Sequence, residues 1–106
     1  MRLLVCSLTL ALSGCGLLVG SVHCDFDDHD RCQERIDTTA AVAFKGTCSA
    51  AQGKPGDGPC RTEKKVGGCD LGKQGDGSQI TDWYYEPRTR ADAMSKCDSD
   101  EPFVEP

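Results

Sequence analysis

The chain has 106 residues, twelve of them basic and seventeen acidic, for a formal net charge of −5. That balance argues against nucleic acid and against anionic lipid headgroups as partners, since both require clustered cations, and the length allows one small domain. Eight cysteines in so short a chain point to covalent staples in place of a large apolar core.

Residues Met1 to Val22 read as an export signal, with Arg2 as the charged start, the apolar run Leu3–Leu12, and then small residues. No other stretch approaches the roughly 18 apolar residues of a membrane-spanning helix, so the remainder is expected to be soluble. Leu12-Ser13-Gly14-Cys15 resembles the lipobox of bacterial lipoproteins. The resemblance implies that residues 1–14 are a signal peptide cut off before Cys15. It also implies that the Cys15 sulfur is acylated and anchors the mature chain to a membrane. An ordinary signal is the alternative, with Val19-x-Ser21 as the cleavage site and Val22 as the new start. The lipobox reading is preferred, because signal segments are otherwise compositionally loose.

Residues 15–31 then form a lipidated N-terminus and an acidic tether. Asp25-Phe26-Asp27-Asp28-His29-Asp30 carries four carboxylates, but Asp30 stands where a calcium-binding EF-hand loop needs glycine, and Ile36 where it needs glutamate. A solvated tether is expected instead. The domain proper is assigned to residues 32–106, beginning with a short strand over Cys32–Ile36 at the edge of a sheet. Asp37 or Thr38 can cap a following helix in AAVAFKGTCSAA, with Ala41, Phe44 and Cys48 on one face. Gly53-Lys54-Pro55-Gly56-Asp57-Gly58 recurs as Gly72-Lys73-Gln74-Gly75-Asp76-Gly77 with one difference, and both copies are read as turns.

The centre of the fold is expected to be a hairpin, with one strand from about Cys60 to Leu71, a turn at Gly72–Ser78 and a return strand from about Gln79 to Glu86. Ile80, Asp82 and Tyr84 then face one way, and Thr81, Trp83 and Tyr85 the other. Thr89-Arg90-Ala91-Asp92 resembles a capping box opening a helix that ends near Cys97, with Ala93, Met94 and Cys97 inward. Phe103-Val104 is a last short strand. The fold class is therefore α+β: a small disulfide-stapled domain with an antiparallel hairpin or short sheet and two short helices.

Cys32-x-Glu34, Cys48, Cys60, Val66-Gly67-Gly68-Cys69, Tyr84-Tyr85, Cys97 and Phe103-Val104 together resemble small cysteine-rich lipoproteins of bacteria that carry no assigned activity. The resemblance implies a fold and a compartment, and no chemistry.

With Cys6 in the signal and Cys15 taken by the lipid, six cysteines remain, and in an exported chain they are expected to form three disulfides. Cys48 and Cys60 flank a glycine-rich stretch that can fold back, which suggests Cys48–Cys60. Cys32–Cys69 would join the first strand to the hairpin, and Cys24–Cys97 follows by elimination. With Cys24 and Cys32, the two histidines His23 and His29 make a poor zinc set, because an oxidising compartment takes the thiols first. No catalytic residue, cofactor or metal is expected. Whichever of Trp83 and Tyr85 is exposed would be the contact surface. These readings converge on a non-enzymatic envelope lipoprotein, a structural or interaction domain with a protein or envelope partner. An unanchored secreted inhibitor or toxin-like scaffold, presenting Gly53–Pro59, is the alternative.

Overall fold

A computed structural model describes residues 19–106; the expected signal peptide over residues 1–14 and the expected lipidation site Cys15 lie outside the described residues. In chain order the elements are β1 (Gly20–Phe26), a 3-10 turn (Asp27–His29), β2 (Arg31–Thr38), α1 (Ala41–Ala50), β3 (Lys54–Asp57), β4 (Lys65–Lys73), β5 (Gln79–Tyr85), α2 (Arg90–Ser95) and β6 (Phe103–Val104). The strands form one antiparallel sheet in the order β3-β1-β2-β5-β4-β6. The fold is mixed α+β and disulfide-rich, as the sequence suggests.

Two expected boundaries are corrected. Residues Gly20–Asp30 are not tether: β1 fills most of that stretch and buries Val22 and Cys24. The Cys32–Ile36 strand is not an edge either. As β2 it lies between β1 and β5, and its register sets Cys32 opposite Trp83 and Gln33 opposite Asp82. A strand paired on both sides hides its backbone polar groups from water, which offsets the modest apolar content of its side chains.

The return strand alternates as expected, and each side has its own small core. Cys32, Cys60, Trp83 and Tyr85 pack together on one face, with Val104 against them. Cys69, Tyr84 and Ala93 pack on the other, with Val66, Leu71, Cys97 and Phe103. The first hairpin strand starts at Lys65 instead of Cys60, because Cys60–Lys64 crosses the Trp83 face as a lid before the chain enters the sheet. Within this lid the Cys60 N–H donates to Glu34 Oε1 at 3.1 Å, and the Arg61 carbonyl accepts from the Tyr85 hydroxyl at 2.8 Å. Gly68 sits opposite Trp83, and a Cβ there would lie 2.7 Å from the indole, so only glycine lets the ring close down on the strand.

Both helices occupy the Tyr84 face. α1 has the expected face, with Cys48 buried. Its start has no side-chain cap in the usual position; Thr38 Oγ1 instead accepts the N–H of Ala40 at 2.9 Å. Thr89 caps α2 by accepting from the Asp92 N–H at 3.1 Å, while the Asp92 carboxylate pairs with Arg88. Ala93 is fully buried, but Met94 is 44% exposed and does not face inward.

The disulfides are Cys24–Cys48, Cys32–Cys60 and Cys69–Cys97. Three bridges do form, but none of the expected pairs is among them, and strand parity is the reason. Cys48 lies over the Tyr84 face, bonded to Cys24, while Cys60 is on the Trp83 face, so Cys48–Cys60 would have to pass through the sheet. Cys32 and Cys69 stand on opposite faces of strands separated by β5. Cys24–Cys97 would have to reach from β1 to the helix over β4, three strand intervals or about 14 Å, where a disulfide allows Cα atoms at most about 7 Å apart.

The repeated hexad takes two conformations. The second copy is the hairpin turn, closed by the Gln74 N–H donating to the Ser78 carbonyl at 2.8 Å, with Gly77 at φ 85°. The first copy supplies β3, an extended edge strand on β1, and so is not a turn.

Asp76 ties the hairpin turn to the β2–α1 junction. Its carboxylate accepts from the Ser78 N–H at 3.0 Å, the Thr38 hydroxyl at 2.7 Å, the Thr39 N–H at 3.1 Å and Arg35 at 3.3 Å. These donors favour the ionised form, chiefly Ser78 and then Thr38, and hold the carboxyl far below its ordinary value. A depressed folded-state pKa adds stability that is present above the unfolded value, near 4, and is lost as pH falls below it. Asp76→Asn should therefore be less stable than the parent at pH 7 and should flatten the loss of thermal stability below about pH 4. Melting curves from pH 7 to pH 2 check this; parallel curves for the two proteins would refute it.

Candidate functional site

The two aromatic residues assigned to a contact surface are not exposed. Trp83 retains 7% of its accessible surface and Tyr85 none. Lys65 Nζ stands 3.8 Å from the Trp83 ring centroid and the Arg61 guanidinium 3.9 Å from that of Tyr85. The basic residues near the aromatics thus cap the core, with cation–π contacts closing each ring. Burial pushes the Tyr85 phenol well up and the Lys65 ammonium down from their ordinary values. Arg61 is held in turn by Asp25, at 3.0 and 3.2 Å. This face is closed.

The opposite face is open along its middle. α1 packs on β1 and β3, and α2 on β4. The Cys24–Cys48 and Cys69–Cys97 bridges weld the helices there. Between them, β2 and β5 present two rows of side chains: Arg31 opposite Tyr84, Gln33 opposite Asp82, and Arg35 opposite Ile80. All but the buried Tyr84 keep partial access to solvent. The Gln33 amide donates to Asp82 at 3.0 Å, and Arg35 Nε donates to Ser78 at 2.8 Å.

At the α1 side of this groove lies a cavity of about 230 Å³ bounded by Cys24, Phe26, Arg31, Gln33, Phe44, Thr47, Cys48 and Ala51. Its walls are a disulfide, two phenyl rings and an alanine, and the polar groups are few: one guanidinium, one amide, one hydroxyl. Arg31 stacks on Phe26 with its Cζ 4.5 Å from the ring centroid. Arginine 31 was not singled out by sequence reading, and nothing in the local string Asp30-Arg31-Cys32 distinguishes it; only the register of β2 turns it toward the groove.

The acidic segment ends β1 and forms the 3-10 turn. Asp25 is held by Arg61, and Asp27 accepts from Lys54 at 3.0 Å, which lowers the Asp27 carboxyl below its ordinary value. His23 belongs to β1, where its Nδ1–H donates to the Gly58 carbonyl at 3.0 Å. Cys24 and Cys32 are committed to different disulfides and point to opposite faces, so His23, His29, Cys24 and Cys32 do not converge. Among the described residues, Asp98, Asp100 and Glu101 have carboxylate oxygens within 4.8 Å of one another, in an exposed turn where Glu101 accepts from the Asp98 N–H.

Among the described residues no helix is long and apolar enough to cross a membrane. Three disulfides in so small a domain fit an oxidising, extracytoplasmic compartment. No protein-family model matches the chain, and neither a curated protein nor a solved structure does.

Proposed function

We propose that this chain is an exported, non-enzymatic binding domain, held at a bacterial envelope by a lipid on Cys15 and offering the groove between its two helices to a partner. The observation that carries the reading is the placement of the bridges. Two of the three fix a helix on the same sheet face, on either side of central strands left uncovered. A rigid scaffold with a concave, partly apolar surface is what small-ligand and peptide recognition use.

Two contacts favour cleavage upstream of β1. The Ser21 carbonyl accepts the Gly58 N–H at 2.7 Å, and its hydroxyl accepts the Asp37 N–H at 3.3 Å. A start at Val22 would remove both, whereas a start at Cys15 keeps β1 whole. Only residues 16–19 would then separate the lipid from the sheet, a reach of roughly 14 Å when extended, so the domain would sit close to the bilayer surface. Cys15→Ser should shift the exported protein from the membrane to the soluble fraction. Unchanged membrane association of that variant would remove the anchor from the reading.

The unanchored inhibitor is the second reading. Its loop, Gly53–Pro59, is edge strand β3, fixed at one end by Cys48 to β1 and at the other by Cys60 to β2. A mature N-terminus at Val22 would favour it.

A further inference from the structure

We infer that the cavity under α1 is a recognition site for a carboxylate carried on a compact apolar body, with Arg31 as the residue that binds the carboxylate. The inference rests on the reading of this face as the binding face and names what it takes.

Five arginines lie among the described residues, and four have a carboxylate partner. Arg35 pairs with Asp76, Arg61 with Asp25, Arg88 with Asp92 and Arg90 with Glu105. Arg31 has none, in a chain with seventeen acidic residues, and its Nε is buried without a hydrogen-bond partner. A guanidinium has five donors and no acceptor; with Nε enclosed, the donors that Arg31 can offer an anion or a carbonyl are those of Nη1 and Nη2. The carboxylate across the same face in the neighbouring strand, Asp82, accepts from Gln33 instead. Arg31 is held in place by stacking on Phe26, which orients the planar fork without occupying its N–H edges.

The rest of the cavity sets the remainder of the ligand. Phe26, Phe44, Ala51 and the Cys24–Cys48 bridge give apolar walls, and the volume is about 230 Å³. An apolar protein cavity of about 150 Å³ accepts a benzene ring, so this one has room for a ring or short alkyl chain together with its carboxylate. Two parallel N–H donors from one arginine match a carboxylate in shape. A dianionic phosphate would call for more positive charge than one guanidinium in a net negative protein supplies. A free small acid and the C-terminus of a peptide ending in an apolar residue share this chemistry.

The test uses the mature, oxidised protein and follows its amide signals by NMR. Phenylacetate should shift the signals of Cys24–Gln33 and Phe44–Ala51 and saturate at millimolar concentration. Phenylacetamide, the same size without the charge, should bind at least tenfold more weakly. Arg31→Gln should lose phenylacetate by a similar factor with its disulfides and melting curve retained, and Arg31→Lys should fall between, since it keeps charge but loses the fork. A short peptide ending in phenylalanine, compared with its C-terminal amide, separates the sources: preference for the free acid over phenylacetate points to a chain terminus, and the reverse to a small acid. Equal binding of phenylacetate and phenylacetamide, no shifts with either, or an unaffected Arg31→Gln would overturn the proposal. The wild-type comparison stands even where a variant fails to fold. Such a failure leaves the membrane release of Cys15→Ser unaffected, so the broader reading is judged separately.

Discussion

Replacing both Cys32 and Cys60 with serine should lower the melting temperature by roughly 15–30 °C, the largest drop of the three bridge deletions. The bridge spans a sequence separation of 28 residues, and closing a loop of that length removes about 3.6 kcal/mol of chain entropy from the unfolded state. A domain of this size gains or loses about 4–8 °C per kcal/mol, and total stabilities run at about 0.05–0.15 kcal/mol per residue. The entropy alone is similar for all three bridges, whose separations are 24, 28 and 28 residues. Position decides between them. Cys32 and Cys60 are part of the core with Trp83 and Tyr85, and the bridge holds down the lid whose Cys60 N–H donates to buried Glu34. Without it the lid can lift, leaving Glu34 buried without its donor and wetting Trp83. Thermal melts of the three double variants test the ranking. A smaller loss for Cys32/Cys60 than for Cys69/Cys97 would show that the lid stays closed without its bridge.

Tyr85→Ala should cost about 3–5 kcal/mol, the range for emptying a large aromatic site in a core. Tyr85 has no exposed surface, and its ring is the floor on which Arg61 lies. Its truncation empties the middle of one core cluster and removes the anchor of the lid at the same time. Tyr85→Phe keeps the ring and removes only the hydroxyl bond to the Arg61 carbonyl, for about 1 kcal/mol. Urea unfolding of the two variants separates packing from hydrogen bonding. Comparable losses in both would mean that the hydroxyl, not the ring, carries the site.

The hairpin was legible because its information is local. Asp76-Gly77 and the alternation from Thr81 to Tyr85 lie within ten residues, and turn geometry fixes the register from there. The second helix was legible for the same reason, since Thr89 and its N–H partner Asp92 are three residues apart; the first was legible from the spacing of Ala41, Phe44 and Cys48 and not from its cap. β1 was not, because His23 and Asp25 make the strand look like part of an acidic tether. What makes it a strand lies far away, in Glu34 and Cys32 opposite and in β3 on its other edge.

The disulfides failed for a related reason. Each pairing depends on which face a cysteine occupies, and a shift of one residue in register reverses that face. The register of β2 on β5, which sets Cys32 opposite Trp83, cannot be read from either strand alone. Nor can the orientation of Arg31, which the same register turns into the groove. The repeated hexad shows the limit of local chemistry most directly. Exchanging Gln74 for Pro55 is the one difference between the copies, yet one closes a hairpin through its own turn and the other lies extended along β1.

Peptide mapping of the oxidised mature protein without reduction tests the frame on which the groove depends. The expected result is three linked pairs: Cys24 with Cys48, Cys32 with Cys60, and Cys69 with Cys97. A fragment joining Cys48 to Cys60, or Cys24 to Cys97, would put the helices elsewhere and contradict a groove held open between them.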